Sequence, residues 1–341
     1  MNIRDAIIAV TSGKDLSQIE AAAVMEEIMS GTATPAQIAA FLTALHLKGE
    51  TDSEIAGMAT VMRTKATPVV FDGAVVDTCG TGGDGSHTFN ISTTAAFVVA
   101  GAGLTVAKHG NRAMSSACGS ADVLEGLGVN IELDAAGVAH CLHTAGIGFM
   151  FAPKFHPAMR FAGPVRREIG IRTAFNLLGP LTNPAGARHQ VLGVANEQLA
   201  TKLAAALARL ETTRALVVCG DGNTDELTLS GPSVVFDVRA GHPPVRTIIN
   251  PTDLGLDLAP PEALRGGNVA DNVAIAQGIL EGRTHGPQRD VVLLNAAAAL
   301  VAGNAAPDLS AALSMARASL DAGHALERLQ RLITVSNALK V

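Results

Sequence analysis

Residues 76–122 read VDTCGTGGDGSHTFNISTTAAFVVAGAGLTVAKHGNRAMSSACGSAD. Ala74-Val75-Val76 is a short apolar run that breaks into Gly80-Thr81-Gly82-Gly83-Asp84-Gly85. That pattern predicts a strand ending in a glycine-rich loop able to wrap a phosphate. Asn90-Ile91-Ser92-Thr93-Thr94 then opens an apolar helical segment, Ala95 to Ala102. A helix start carries unpaired N–H groups and the positive end of the macrodipole, so its hydroxyl-bearing residues are placed to hold an anion. Leu104-Thr105-Val106-Ala107 leads into Lys108-His109-Gly110-Asn111-Arg112, then Ser115-Ser116 and Gly119-Ser120. From Ser86 to Ala121 there is no acidic residue, whereas Lys108 and Arg112 are both present. The asymmetry favours a ligand with several negative charges.

Gly80, Gly82 and Gly85 satisfy G-x-G-x-x-G, the fingerprint of a dinucleotide fold. That fingerprint expects a ribose-binding Asp or Glu about 20 residues on, and none stands there. A P-loop needs Lys-Ser/Thr directly after its last glycine, where this chain has Ser86-His87.

The chain of 341 residues is long enough for two domains. It is 48% hydrophobic, with 35 glycines and neither Trp nor Tyr, a composition that suits a small-residue α/β interior. A formal charge of −6 argues against a general nucleic-acid binder, so the local basic cluster points to a small anionic ligand. Cys79, Cys118, Cys141 and Cys219 are scattered without C-x-x-C spacing, which reads as reduced thiols in a cytoplasmic protein. Arg4 and Asp5 precede any long apolar run, so the start does not read as a signal peptide. The longest apolar stretch, around Ala95 to Ala107, is too short and interrupted to span a membrane.

Residues 1 to about 70 read as helices. Ser17 with Glu20, Thr34 with Gln37 and Thr51 with Glu54 fit capping boxes, Pro35 fits a first helical position, and Gly31 and Gly49 fit helix ends. Ile38, Phe41, Leu42 and Leu45 form an i, i+3, i+4, i+7 stripe that suits either the interior of this region or a subunit interface. From about residue 72 strand-like and helix-like segments alternate, with strands expected near 74–78, 103–107, 147–151, 189–194, 214–219 and 233–238. Alternation of this kind predicts an α/β fold with a mainly parallel sheet covered by helices and a ligand beyond the carboxyl ends of the strands. The stretch from about Gly163 to Pro184 interrupts it.

GTGGDG, TFNIST, KHGNR and GSADVLEGLG closely resemble the anthranilate phosphoribosyltransferase family, in the nucleoside phosphorylase/phosphoribosyltransferase class. Phe151-Ala152-Pro153, His156 to Arg160, Val165-Arg166, GIRTAFNLLGPLTNP and Asp225-Glu226-Leu227-Thr228 extend the resemblance over nearly the whole chain. It implies a small helical domain, residues 1–70 plus about 163–185, and a large α/β domain, residues 71–162 and 186–341, with homodimerisation through the helical part. The implied reaction moves the 5-phosphoribosyl group of 5-phosphoribosyl 1-diphosphate to the amine of anthranilate in tryptophan biosynthesis.

The resemblance assigns the donor to Gly80, Gly82, Gly83, Asp84, Thr88, Asn90, Ser92, Thr93, Lys108 and Ser120. The acceptor falls to Gly80, His109, Gly110, Asn111, Pro153, His156, Met159 and Arg166, with Arg166 opposite its carboxylate. Magnesium falls to Ser92, Asp225 and Glu226, with two ions per subunit. Mg²⁺ binds through one or two carboxylates plus substrate phosphate oxygens, which suits such a pair. No residue is assigned as nucleophile or general base; His109 is expected to position substrate, and Arg160, Arg167 and Arg172 to be structural or solvent-facing. Cys118 stands where the family commonly has serine, and Cys219 where it has histidine. A pyrimidine nucleoside phosphorylase-like enzyme and a non-catalytic nucleic-acid-binding relative are the competing expectations; Asp225-Glu226 and KHGN oppose the first and the net charge the second.

Overall fold

The computed structural model describes residues 1–113 and 117–339, so Ser115 and Ser116 lie outside the described residues. The chain begins with four helices, α1 (Ile3–Thr11), α2 (Gln18–Ser30), α3 (Pro35–Lys48) and α4 (Asp52–Lys65). Each of the three expected capping boxes forms: Ser17, Thr34 and Thr51 accept from the backbone of Glu20, Gln37 and Glu54, whose side chains bond back to the caps. These reciprocal bonds satisfy N–H groups that a helix start otherwise leaves open.

Among the described residues seven strands form one sheet, ordered β3-β2-β1-β4-β5-β6-β7. They are β1 (Val76–Gly80), β2 (Val106–Gly110), β3 (Ile147–Phe151), β4 (His189–Gly193), β5 (Arg214–Cys219), β6 (Ser233–Arg239) and β7 (Val245–Ile249). The first five pair in parallel, whereas β6 pairs antiparallel with both β5 and β7. The fold is therefore a small helical part joined to an α/β part with a mainly parallel sheet, as the alternation predicts. β2 starts three residues later than expected, so Lys108, His109 and Gly110 end the strand instead of forming the loop after it. β7 was not anticipated: Val245, Arg246, Thr247 and Ile248 are exposed, and a solvated edge strand shows little apolar patterning.

Alternate residues of the strands supply two different cores. Val191, Leu216, Val218 and Val235 face a cluster built on α5 (Ile91–Gly101) and the helix Pro287–Ala302. In the latter helix every residue from Val291 to Ala302 is buried, as expected of a helix that is apolar all round. Leu192, Ala215, Val217, Phe236 and Val238 face the opposite way, into a cluster shared with α1 to α4 and the segment 162–181. The α3 stripe belongs to this second core: Ile38, Phe41, Leu42 and Leu45 are 0–1% exposed, so it packs within the chain and is not available as a subunit interface.

From β1 the chain proceeds to β2 and β3 on one side, then crosses back to β4 on the other side of β1. The carboxyl ends of β1 and β4 therefore flank a topological switch point, where an open α/β sheet forms a crevice. Asp77 to Gly80 lie beside Gln190 to Gly193 in register, so two glycines face each other at its floor.

Candidate active site

Neither Gly80 nor Gly193 has room for a side chain. A Cβ on Gly193 would lie 1.5 Å from the Asp225 carbonyl oxygen, and one on Gly80 would lie 2.3 Å from Asp225 Oδ2. The two glycines let the acidic segment after β5 lie directly on the strand ends. Asn295, on the buried helix behind the sheet, fixes that segment: its side chain accepts from Leu227 N–H at 3.0 Å and donates to Leu227 C=O at 2.8 Å.

The glycine loop wraps over this floor. Gly82, Gly83 and Gly85 have φ of +63°, +70° and +74°, a region that β-carbon-bearing residues rarely adopt. Thr81 N–H donates to Gly193 C=O at 2.9 Å, and Gly82 N–H donates to Asp225 Oδ2 at 2.7 Å. Asp84 accepts from Ser86 N–H at 3.1 Å and from Asp225 N–H at 3.2 Å. Thr88 forms an isolated bridge with Arg265, which anchors the far end of the loop.

At the start of α5, Ser92 N–H donates to Glu226 Oε1 at 3.2 Å and the buried Thr93 lies in the first turn. Asn90 donates through Nδ2 to Cys118 C=O at 3.4 Å, while its buried Oδ1 has no partner; Thr81 Oγ1 is likewise buried without one. Gly110, Asn111 and Ser120 form a tight corner in which Ser120 Oγ donates to Asn111 C=O at 3.3 Å. A Cβ on Gly110 would lie 2.2 Å from Ser120 Oγ.

Electrostatically the site crowds three carboxyl groups, two of which are driven toward the neutral form. Burial, reinforced by Asp84, pushes Asp225 up to about 7; burial, reinforced by Asp225, pushes Glu226 up to about 8. Lys108 does not project into the open crevice: its Nζ is buried beneath the cradle, donating to Thr78 C=O at 2.5 Å and facing Asp77. It serves from there as a buried counter-charge. Asn183, in the LTNP segment, bonds both Asp77 Oδ2 and Ala107 C=O at 2.8 Å and docks that segment to the sheet. Arg112 is committed to Asp122 and Glu125, at 2.9 and 2.8 Å, so the free cation its sequence position suggested is ion-paired.

On the acceptor side, His109 and His156 are buried with their Nε2 atoms 3.2 Å apart. Burial holds His109 at about 3, with the neighbouring His156 adding to it, and burial holds His156 at about 4. Both rings are neutral near pH 7, so one Nε2 carries the shared proton and the other accepts it. His109 also bonds the Gly179 backbone, tying the acceptor side to the GPLTNP segment. Met159 is half-buried at the start of the helix Met159–Ile169, and Pro153 is exposed. Arg166, in the last turn of that helix, lies over Phe175 with its Cζ 5.1 Å from the ring centre. Burial lowers its pKa, and among the described residues no ion pair or hydrogen bond engages its guanidinium. The structure brings the glycine loop, Asn90, Ser92, Asp225 and Glu226 together by direct bonds or shared neighbours; Arg166, Pro153 and Met159 form no polar contact with that group.

Arg172, expected to be structural or solvent-facing, is exposed and braces the glycine loop. It donates to Gly82 C=O at 3.0 Å and to Thr81 C=O at 3.4 Å, and a Cβ on Gly83 would overlap its Nη1. The Gly82 peptide neighbourhood is thus held by Asp225 on one side and Arg172 on the other. Arg160 and Arg167 are exposed, in line with expectation.

The histidine pair has a consequence for acid stability. A histidine with a pKa near 6.5 unfolded and near 3–4 folded stays neutral in the fold while the unfolded chain takes up a proton. Its stabilising contribution is present above pH 6.5 and is lost as pH falls toward 4. His156→Gln is expected to lose less stability than the parent between pH 7 and 5, read as the shift of the urea midpoint. An unchanged shift would show that the pair does not titrate in this way.

A small helical part joined to an α/β part with a cradle of backbone N–H groups at the sheet's switch point is the class that this geometry defines. Residues 4–66 match the helical bundle domain of the glycosyl transferase family, and residues 72–326 match its a/b domain. The chain is 76% identical to anthranilate phosphoribosyltransferase of Chloroflexus aggregans, over 98% of this chain and 99% of the relative. The structure of anthranilate phosphoribosyltransferase (TrpD) from Thermus thermophilus superposes with a TM-score of 0.92 at 45% identity, covering 98% of this chain and 99% of that one. That of the Saccharomyces cerevisiae enzyme in complex with PRPP and Mg superposes with a TM-score of 0.91 at 26% identity, covering 99% and 98%. The chain belongs to this glycosyl transferase family and, within it, to the anthranilate phosphoribosyltransferases.

Proposed function

We propose that the chain transfers the 5-phosphoribosyl group of 5-phosphoribosyl 1-diphosphate to the amine of anthranilate, releasing diphosphate, as a step of tryptophan biosynthesis. The observation that carries this reading is a cradle of backbone N–H groups at the switch point, lined by Asp84, Asp225 and Glu226. Near it lie the orphaned oxygens of Asn90 and Thr81, which a polar ligand would engage.

Three crowded, half-buried carboxyl groups, two of them raised toward neutrality by burial and by their neighbours, fit a cation that arrives with the substrate. Among the described residues no cluster of three His, Cys, Asp or Glu side chains is arranged to hold a metal by itself, which suits an ion completed by phosphate oxygens. Ser92, Asp225 and Glu226 would hold Mg²⁺, with two ions per subunit. When bound, it offsets the charge growing on the leaving diphosphate.

The amine nitrogen attacks C1 of the ribose, the C1–O bond to diphosphate breaks, and the nitrogen releases a proton. An aromatic amine is already neutral at pH 7, so the chain's task is orientation and charge, not base strength. The glycine loop, Thr88, Asn90, Ser92, Thr93 and Ser120 bind the donor, and Lys108 balances charge from below. Arg166 takes the acceptor carboxylate, and the neutral His109 and His156 pair, with Gly110, Asn111, Pro153 and Met159, shapes the acceptor channel. Mixing protein, Mg²⁺, phosphoribosyl diphosphate and anthranilate is expected to quench anthranilate fluorescence, and EDTA to stop the decay. No decay at high enzyme concentration would refute the assignment.

The helical domain comprises residues 1–70 and about 163–185; in support, Ala162, Val165, Phe175 and Leu178 share a core with α1 to α4. Two copies associate through this domain, for which Ile8, Ile19 and Leu47, 61–82% exposed, are candidate contacts. The protein works in the cytoplasm, a reading supported by the scattered spacing of its cysteines, which lack C-x-x-C. Light scattering at micromolar concentration is expected to give twice the chain mass; the mass of one chain would refute the dimer.

A further inference from the structure

Two backbone donors of the cradle are already taken by carboxyl groups that belong to the chain itself. Gly82 N–H donates to Asp225 Oδ2 at 2.7 Å, and Ser92 N–H donates to Glu226 Oε1 at 3.2 Å. These contacts are not the by-product of a local turn. Two consecutive residues reach two separate segments, 143 and 134 residues away in sequence. The site is also shaped to receive them: Gly80 and Gly193 leave the space in which Asp225 lies, and Asn295 holds the adjoining Leu227 peptide.

We propose that Asp225 and Glu226 are specificity-determining residues that stand in for the donor's phosphate oxygens, so that the site rejects diphosphate without a divalent cation and admits it only as the cation complex. This rests on the reading of the crevice as a phosphoribosyl diphosphate site, and it goes beyond metal binding. An N–H group that donates to a carboxylate is not free to donate to a phosphate oxygen. Metal-free diphosphate must therefore displace two hydrogen bonds and then face Asp84, Asp225 and Glu226, carboxyl groups that already disfavour further negative charge beside them. The buried cation at hand, Lys108, is bonded to Thr78 C=O and flanked by Asp77. Diphosphate that carries a divalent cation gives the two carboxylates a new partner. Their release from Gly82 and Ser92 then exposes those N–H groups to the phosphate oxygens. The exchange conserves the number of hydrogen bonds on the two amides, so selectivity comes from the charge that accompanies the ligand.

The test is calorimetric titration of inorganic diphosphate into the full-length protein, in EDTA and in Mg²⁺, for the parent and for Asp225→Ala/Glu226→Ala. The parent is expected to bind at least tenfold more weakly in EDTA than in Mg²⁺. The variant is expected to bind metal-free diphosphate at least tenfold more tightly than the parent does, and to lose most of the Mg²⁺ dependence. Equal affinity of the parent with and without Mg²⁺, or a variant with no gain in EDTA, would overturn the place-holder role while leaving the diphosphate site standing. Failure of the parent to bind diphosphate under both conditions would instead remove the functional reading on which it rests. If the double variant does not fold, as judged by circular dichroism, the parent labelled with ¹⁵N decides the matter. Its Gly82 and Ser92 amide resonances should shift with diphosphate plus Mg²⁺ and stay in place with diphosphate in EDTA; a shift in EDTA would overturn the proposal.

Discussion

Replacing Arg166 with alanine is expected to raise the KM for anthranilate by roughly ten- to a hundredfold while moving the donor KM much less. Its guanidinium is half-buried against Phe175 and has no anionic partner among the described residues, although burial already disfavours its charge. A cation kept in that condition is suited to an anion supplied from outside. A charge-assisted hydrogen bond is worth about 1.5–3 kcal/mol, and about 1.4 kcal/mol corresponds to a factor of ten. Lysine cannot reproduce the planar two-point grip, so Arg166→Lys should recover only part of the loss. Steady-state kinetics with each substrate varied in turn measures both constants. Equal weakening toward donor and acceptor would mean that Arg166 does not clamp the acceptor's carboxylate.

The second large effect concerns turnover. Asp225→Asn with Glu226→Gln is expected to lower kcat on the order of 10²-fold or more at ordinary Mg²⁺, the scale seen when a group that stabilises developing charge is removed. The fold should persist, because the amides keep the shape of the carboxylates and can still accept from Gly82 and Ser92. Excess Mg²⁺ should restore part of the activity of either single variant, since the remaining carboxylate can still recruit the ion at higher concentration. Wild-type kcat and metal response in the double variant would return Asp225 and Glu226 to the role of an ordinary polar turn. Kinetics across a Mg²⁺ series, with thermal unfolding to verify the fold, separates these outcomes.

Signals that act over a few residues were legible in the chain. Ser17, Thr34 and Thr51 announced their helices because a capping box needs only a residue and its third neighbour. The glycine loop announced a turn because positive φ is a local demand that glycine meets cheaply. Strand positions followed from apolar runs, with β2 displaced because Lys108 and His109 are polar by type yet buried by place. Motif resemblance named Asp225, Glu226 and Arg166, but it could not say which N–H groups the acidic pair holds in the free protein.

What escaped the sequence depends on contacts between distant segments. Arg172 is a surface arginine whose bond to the glycine loop, 90 residues away in sequence, appears only when the segment after the helix Met159–Ile169 is laid across that loop. Arg112 reads as a free cation until the first turns of Ser120–Gly126 bring Asp122 and Glu125 to it. Asn183 and Asn295 are ordinary amides whose partners, Asp77 and Leu227, are fixed only by strand order and by a helix threaded behind the sheet. The α3 stripe shows the same limit, since periodicity says that a face is buried and is silent about what buries it. The amino-acid sequence by itself determined the elements, their caps, the glycine turn and the inventory of charges, because each depends on interactions a few residues long. Only the tertiary structure decided which charges meet, since bringing Gly82 to Asp225 requires the crossing from β3 back to β4, which leaves a single strand between β1, ahead of Gly82, and β5, ahead of Asp225.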